Sequence, residues 1–282
     1  MLFNKKVLVA LDASEAAEKA FKRGVLIADR MGCQLDLLWL FNPLPDHPLM
    51  RLVAELQVSG MAIESHYTEA GRLLSVVQKR WQEDHFSLLI KSCEDDHKGF
   101  LAPVDWQLLR QAPCPVLLVK RDSLWEGGNV MAAIDPLSQK ENRLNLSRTV
   151  LMMAGFISTE AQAQLNVVVS YAPPMLAAEP ENQSVPLLEA RARQAAERLL
   201  SDMKLDCKRY LIGEGPPEYW IPHVAETEDA ALVVIGTRAR DGLTGMLLGN
   251  TAERILDRLT CDVLVLREGL AEDLRQLLSS HV

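Results

Sequence analysis

The chain carries one series of sequence features twice. Each half opens with a short apolar run that ends in aspartate, at residues 7–12 and 130–135, and each closes with a cysteine followed by apolar residues, at 114–119 and 261–266. The matching residues lie further apart toward the C-terminus, so the second copy is longer, mainly around 175–189. A head-to-tail duplication of this kind limits the chain to two copies of one domain architecture.

Each copy alternates short apolar runs with amphipathic segments. The runs lack polar alternation, which is typical of parallel strands covered by helices on both faces. We expect strands at 6–11, 34–41, 61–68, 86–92, 115–120, 129–135, 164–171, 206–212, 230–236 and 262–267. We expect helices at 14–31, 48–58, 70–83, 103–111, 142–158, 186–203, 216–227 and 249–259. The predicted fold class is α/β, with two tandem five-stranded parallel sheets, each doubly wound in a Rossmann-like manner.

The charged, glycine-containing segment 122–128 marks the boundary between the copies. We assign residues 1–121 to a first domain and residues 129–282 to a second, with a short helix in 269–282 after the last strand. The last strand of each copy would leave an open sheet edge, and proteins usually cover such edges. We therefore expect the copies to pair as an intrachain pseudo-dimer, with a homodimer of whole chains as a further option.

Composition excludes several partners. The 282 residues include 30 Lys and Arg against 38 Asp and Glu, and the basic residues are dispersed, so we expect no nucleic-acid partner. No apolar run approaches the ~20 residues that span a bilayer, and no secretory signal is visible, so we expect no membrane partner and a cytoplasmic location. The five cysteines are widely spaced and form no CxxC pair, which fits a reducing compartment. We expect no metal site.

The segment 230–259 is the strongest candidate for a ligand site. Its order predicts a strand, a loop and a helix, and a helix that follows small residues presents free N–H groups that suit a phosphate. The candidate contacts in the loop and at the helix start are Gly236, Thr237, Arg238, Ala239, Gly249, Asn250 and Thr251. Arg238 would add positive charge.

Three features together resemble the universal stress protein family: a first strand that ends in aspartate, a late strand followed by a glycine-containing loop, and the helix start Leu-Gly-Asn-Thr-Ala-Glu at 248–253. The duplicated layout resembles the tandem members of that family, and the resemblance covers nearly the whole chain. It implies a ligand-binding α/β fold and a role in stress response. It also implies that Asp135 lies near the base and ribose of a bound adenine nucleotide, although Asp135 could instead begin a turn at Pro136.

The phosphate-binding frame of the second copy is partly retained. Nucleotide-binding members of the family carry Gly-x-x-Gly, nine residues, and then Gly-Ser or Gly-Thr. In this chain the four positions are Gly236, Ala239, Gly249 and Asn250. Ala239 adds a Cβ where the backbone of a binding member approaches phosphate. Asn250 replaces a hydroxyl with an amide, although it is an acceptable N-cap and Thr251 follows it.

The first copy departs further from that frame. If residues 84–90 match 229–235, the acidic segment 91–99 takes the place of the glycine-containing loop. Acidic side chains repel phosphate, and Pro103 near the next helix start supplies no N–H donor. We therefore expect the first copy to have lost nucleotide binding, and we expect Asp12 to cap the helix at 14–31.

These features predict a non-catalytic stress-response protein that binds or senses a small-molecule ligand, with ATP or another adenine nucleotide in the second copy. The alternative is an interaction module that has lost both nucleotide sites and binds an apolar metabolite or a protein partner through its clefts or the apolar segment 171–186. The chain carries none of the Gly-x-Ser-x-Gly, HExxH or Gly-x4-Gly-Lys-Ser/Thr signatures that would indicate an enzyme.

Overall fold

A computed structural model of the chain describes residues 6–93, 101–174, 184–237 and 249–268. The chain divides into two units, Met1–Asp122 and Ser123–Val282. The helix expected in 269–282 lies outside the described residues. In the part of the chain that is described, no helix is both long enough and apolar enough to span a bilayer.

The first unit alternates strands and helices. Its strands are β1 (Lys6–Leu11), β2 (Gln34–Trp39), β3 (Ile63–Tyr67), β4 (Leu88–Ser92) and β5 (Val116–Val119). Its helices are α1 (Ala17–Met31), α2 (Pro48–Val58), α3 (Leu73–Glu83) and α4 (Pro103–Gln111), with a 3₁₀ turn at Ala70–Arg72 before α3.

The second unit repeats this order. Its strands are β6 (Asn129–Ala133), β7 (Gln164–Tyr171), β8 (Arg209–Glu214), β9 (Ala230–Thr237) and β10 (Asp262–Arg267). Its helices are α5 (Glu141–Glu160), α6 (Val185–Met203), α7 (Pro217–Thr227) and α8 (Asn250–Arg258).

Within each unit the strands form a parallel sheet. The order is β3-β2-β1-β4-β5 in the first unit and β8-β7-β6-β9-β10 in the second. In both orders the chain moves outward from the first strand on one side and then returns to its other side. The carboxyl ends of β1 and β4, and of β6 and β9, therefore flank a topological switch point, where open α/β sheets bind ligands.

Burial explains why the strand runs are continuously apolar. All five residues of Val7–Leu11 in β1 are at most 1% exposed, and residues 232–234 in the middle of β9 are fully buried. Successive strand side chains point to opposite faces, so both faces of each sheet must be covered. The predicted α/β class and the two tandem five-stranded sheets are confirmed.

Several element bounds differ from the sequence-based prediction. Strand β8 begins at Arg209 rather than at residue 206, because α6 ends at Met203, its C-cap Lys204 is in a left-handed conformation (φ 54°), and the next residues return the chain to the sheet. Strand β9 contains one extra residue: Asn129 pairs with Ala230, whereas Val130 pairs with Leu232.

The extra residue changes which positions of the two copies are equivalent. Ala10 pairs with Lys91 in the first unit, and its counterpart Ala133 pairs with Ile235 in the second. Lys91 therefore corresponds to Ile235, and the match of 84–90 with 229–235 is wrong by one residue at the strand end. A continuous apolar run carries no mark of strand register, so the sequence alone does not fix this match.

The segment between the copies is anchored in the second unit. The indole Nε1 of Trp125 donates a hydrogen bond to Asp262 Oδ2 at 2.9 Å, and both side chains are buried. Asp262 is the first residue of β10. The bond therefore holds this segment against the start of the last strand.

We expect Trp125→Phe to lower the free energy of unfolding by about 1–3 kcal/mol, because it removes the indole donor to a buried carboxylate. Leu124→Ala is the control, since Leu124 is exposed and its change should stay within about 0.5 kcal/mol. Urea denaturation measures both. Equal stability of Trp125→Phe and the wild-type chain would contradict the anchoring role.

Candidate functional site

A cavity of about 740 Å³ lies in the second unit. It is lined by the carboxyl ends of β6, β7 and β9 and by the first turn of α8. This is the switch point of the sheet, and the volume is within the ~300–1,000 Å³ that is usual for small-molecule sites. The topology therefore places the cavity where a ligand is expected in a sheet of this kind.

The N-terminus of α8 forms one wall. Gly249 is the N-cap residue, with φ −66° and ψ 139°, and it provides no side-chain cap. The first intrahelical bond runs from Glu253 N to Gly249 O at 3.1 Å. Within the described chain, the amides of Asn250, Thr251 and Ala252 have no acceptor. These donors and the positive end of the helix dipole favour an anion.

The N-cap assignment corrects one sequence-based interpretation. Asn250 is the first helical residue and not the cap, and both Asn250 and Thr251 have exposed side chains. Glycine at the cap leaves the amide groups open, whereas a capping side chain would occupy one of them.

Thr237, the last residue of β9, lines the cavity, and its buried hydroxyl group has no partner among the described residues. The residue is 3% exposed. A buried hydroxyl without a hydrogen bond costs about 1–3 kcal/mol relative to a satisfied one. A ligand that brings an acceptor or donor to this point would remove that cost.

The structure gives a reason for glycine at position 236 of the phosphate-binding frame but not at position 249. A Cβ on Gly236 would lie 2.6 Å from Cγ of Leu146, so α5 could not pack against β9 at its present distance. A Cβ on Gly249 would have no heavy atom within 4 Å, and Gly249 has a φ that any residue adopts. Gly236 is therefore required by packing, whereas nothing in the described part of the protein requires glycine at 249.

Asp135 stands on the opposite wall, beyond the end of β6. Its backbone N–H donates to Ser147 Oγ at 3.1 Å, which fixes the turn to α5. Its carboxylate Oδ2 lies 3.6 Å from Nη1 of Arg143, and the two side chains are 53% and 39% exposed. An ion pair this exposed contributes little stability, so a ligand can replace either partner.

Sequence reasoning missed Arg143 and Ser147 as parts of the site, and it named Tyr171 only as the start of the apolar segment 171–186 of the alternative function. Arg143 and Ser147 belong to α5, and both line the cavity. Tyr171 ends β7, and burial raises the pKa of its phenol above its usual value, with Glu189 and Glu214 adding to the shift. The phenol therefore stays protonated at neutral pH. The sequence signal that could have identified these residues is their position, since each one lies at, follows or faces the end of a strand.

The remaining lining is mainly apolar, and it includes Ile134, Leu146, Val150, Ile221, Ile235 and Ile255. Arg238 and Ala239, which the sequence places in the loop after β9, lie outside the described residues. The structure thus brings Asp135, Gly236, Thr237 and the start of α8 together around one cavity.

The equivalent place in the first unit holds three charged side chains. Lys91 Nζ lies 3.3 Å from Asp12 Oδ2 and 3.2 Å from Asp105 Oδ1, and it donates to the carbonyl of Ser92 at 2.8 Å. Lys91 and Asp105 are buried. We call Asp12, Lys91 and Asp105 the buried triad.

Burial and pairing oppose each other in the buried triad. Burial by itself lowers the pKa of Lys91, but the carboxylates of Asp105 and Asp12 outweigh it and raise that pKa above its usual value. Burial raises the pKa of Asp105, and Lys91 offsets part of the shift. Lys91 therefore stays charged at neutral pH because two carboxylates surround it.

Asp12 does not cap α1, in contrast to the sequence-based expectation. The N-cap of α1 is Ala16, and Asp12 Oδ1 instead accepts hydrogen bonds from the backbone and hydroxyl of Ser14. Asp12 is available to Lys91 because the helix begins several residues later than predicted.

One group of potential metal ligands occurs among the described residues. Ligand atoms of Asp36, Glu64 and His66 lie within 4.8 Å of one another. Nη2 of Arg80, however, lies 2.9 Å from Asp36 Oδ2. The guanidinium already neutralises the buried carboxylate that a metal ion would need.

The model of the universal stress protein family matches residues 129–267. Universal stress protein E of Escherichia coli K12 is 33% identical to the chain over 95% of both proteins, and that of Photorhabdus laumondii is 29% identical over 93% of this chain and 95% of its own. A functionally unknown protein from Pseudomonas aeruginosa PAO1 has 31% identity and a TM-score of 0.80, with 99% of this chain and 98% of its own covered. A universal stress protein from Archaeoglobus fulgidus shares the fold, with 17% identity and a TM-score of 0.67 over 94% of this chain and 99% of its own.

The different surroundings of Gly236 and Gly249 predict that alanine is tolerated at position 249 and destabilises the protein at position 236. Gly236→Ala should lower the free energy of unfolding by about 1–3 kcal/mol, because its Cβ overlaps Leu146. Gly249→Ala should change stability by less than about 1 kcal/mol, because the poorer cap is offset by lower entropy of the unfolded chain. Urea denaturation of the two variants checks this. A loss at Gly249→Ala as large as that at Gly236→Ala would contradict the interpretation that the cap faces open space.

Proposed function

This chain belongs to the universal stress protein family, and on that premise we propose that it is a non-catalytic stress-response protein whose second unit binds one small anionic ligand. The ligand is an adenine nucleotide, held in the cavity at the carboxyl ends of β6 and β9.

The observation that carries this proposal is the meeting of two unsatisfied features at one cavity. The first turn of α8 presents amides without acceptors, and Thr237 Oγ1 is buried without a partner within the described chain. Each feature alone has a cost, and an anionic group bound between them satisfies both. The phosphate group of the nucleotide is the natural occupant of that position.

The opposite wall supports recognition of the rest of the ligand. Asp135 is the residue that the family resemblance assigns to the base and ribose, and its exposed pair with Arg143 is weak enough to exchange for a ligand hydroxyl. The apolar side chains between the two walls suit the flat face of a base. Tyr171 adds an aromatic ring at the end of β7.

Binding without catalysis is favoured by the side chains that surround the cavity. The described lining contains one carboxylate, Asp135, and no His, Lys or Cys. General acid–base or nucleophilic catalysis usually employs such groups in hydrogen-bonded pairs. Arg143, Ser147 and Thr237 can bind and orient a ligand.

A second candidate is an apolar metabolite or a protein segment. The observation in its favour is the number of aliphatic side chains in the lining, including Ile134, Val150 and Ile255. Native mass spectrometry of the purified chain separates the two candidates, because a nucleotide and an apolar metabolite differ in mass and in the charge of the released molecule.

Gly249→Asp tests the anion site without damaging the helix. Asp is a favoured N-cap, and its carboxylate interacts well with the helix dipole, so α8 should gain a few tenths of a kcal/mol. The same carboxylate occupies the free amides and repels phosphate. We expect at least a ~10-fold weaker affinity for ATP by calorimetry, which corresponds to about 1.4 kcal/mol.

Gly71→Asp is the matched control for that variant. Gly71 is an exposed glycine of the first unit with no heavy atom within 4 Å of an added Cβ, so the variant adds the same charge away from the cavity. Its ATP affinity should equal that of the wild-type chain. Unchanged ATP binding by Gly249→Asp, or no heat with ATP in the wild-type chain, would refute the nucleotide site.

Thr237→Val should act with opposite sign on stability and on binding. Without ligand, the isosteric loss of an unpartnered hydroxyl should leave the chain as stable or up to about 1 kcal/mol more stable. With ATP, the lost hydrogen bond should weaken binding about 3- to 10-fold. Thr237→Ser, which keeps the hydroxyl, should bind like the wild-type chain. Equal ATP affinity of the Val and Ser variants would remove Thr237 from the site.

A further inference from the structure

The buried triad occupies three positions whose counterparts line the cavity of the second unit. Strand register makes Lys91 the counterpart of Ile235, and Asp12 the counterpart of Asp135. Helices α4 and α8 have equal length and precede matching strands, so Asp105 corresponds to Ala252. The three counterparts in the second unit all line one cavity.

These equivalences locate the ammonium group of Lys91. Asp135 and Ala252 both line the cavity in the second unit. In the first unit, Lys91 Nζ contacts their two counterparts, at 3.3 Å from Asp12 and 3.2 Å from Asp105. The ammonium group therefore lies between residues whose counterparts border open space in the second unit.

The start of α4 is also occupied by its own chain. Oδ2 of Asp105 accepts a hydrogen bond from the N–H of Ala102 at 3.1 Å, and Pro103 lacks an N–H donor. A carboxylate thus sits at the helix end where the second unit presents free amides. The first unit thus places a carboxylate and a proline where the second unit leaves amide donors for a ligand.

We propose that Lys91 is a built-in cationic occupant of the first unit's cleft, held by Asp12 and Asp105, so that the chain takes one anionic ligand rather than two. The identity of that ligand rests on the proposed function, whereas the occupancy of the cleft does not. Because only Lys91 and the two carboxylates that hold it are needed, substitutions can remove this arrangement from the first unit and build it in the second.

Removal shortens two of the three side chains of the buried triad. In the full chain, Lys91→Ala together with Asp105→Ala truncates the Lys91 side chain without refilling its space and should expose Cys93, a buried residue two positions along the chain whose thiol interacts electrostatically with Lys91. Alkylation of Cys93 by iodoacetamide, followed by peptide mass spectrometry, should become at least ~10-fold faster. Cys114, which is buried just before β5, serves as the internal control and should keep its rate.

The transfer experiment places the first unit's lysine and aspartate at the equivalent positions of the second unit. Ile235→Lys together with Ala252→Asp places a triad beside Asp135 and should abolish the heat of ATP binding while the thermal unfolding midpoint stays near that of the wild-type chain. Lys91→Met, which leaves two carboxylates without their cation, should lower that midpoint by roughly 10 °C. Lys91→Ile with Asp105→Ala should recover most of this loss.

The outcomes separate this proposal from the proposed function. If the wild-type chain gives no heat with ATP, the nucleotide site fails, and the rate at Cys93 alone decides whether Lys91 fills the cleft. An unchanged alkylation rate at Cys93, or equal acceleration at Cys93 and Cys114, overturns the proposal that Lys91 fills the cleft. In a chain that binds ATP, undiminished binding by Ile235→Lys with Ala252→Asp also overturns it.

Discussion

Burial of both faces of each parallel sheet confines polar chemistry to the strand ends. Inside the sheets the backbone groups pair with neighbouring strands and most side chains are apolar, so charges and hydroxyls lie mainly near the strand ends, as Asp262 does at the start of β10 and Lys91 and Thr237 do at the carboxyl ends of β4 and β9. There a polar group still needs a partner. The two units answer this demand differently: the first pairs Lys91 with two carboxylates of its own, and the second leaves Thr237 and the start of α8 for a partner from outside the described chain.

This difference has a thermodynamic consequence for the two units. A ligand that binds only the native second unit stabilises it by RT ln(1 + [L]/Kd), about 2.7 kcal/mol at a hundredfold excess over Kd. The first unit gains its pairing from residues of the same chain, so its stability does not vary with ligand concentration. If the proposed ligand binds the second unit, one chain combines a unit of fixed stability with a unit whose stability depends on ligand concentration.

The elements of the fold could be predicted because their signals are local. Continuous apolar runs predicted β1, β7 and β10 with the bounds that the structure has, and helical spacing predicted α4 and α8 almost without error. The candidate site was found where a strand, small residues and an amphipathic segment follow one another. Arg143 and Ser147 were missed because their relation to Asp135 depends on how α5 packs. The buried triad was missed because Lys91 looks like any polar residue at a strand end until the sheet brings Asp12 and Asp105 to it.

The bulge at Ala231 shows how a sheet can absorb a change in chain length. Ala231 lies near the start of β9, whereas the cavity lies at its other end. A bulged residue is left unpaired, so Val130 pairs with Leu232 and every later pair of the ladder keeps its register. Without the bulge, the extra residue would slip the strand by one position and exchange its two faces, so the bulge allows a length change at the far rim of the sheet to leave the residues of the cleft in place.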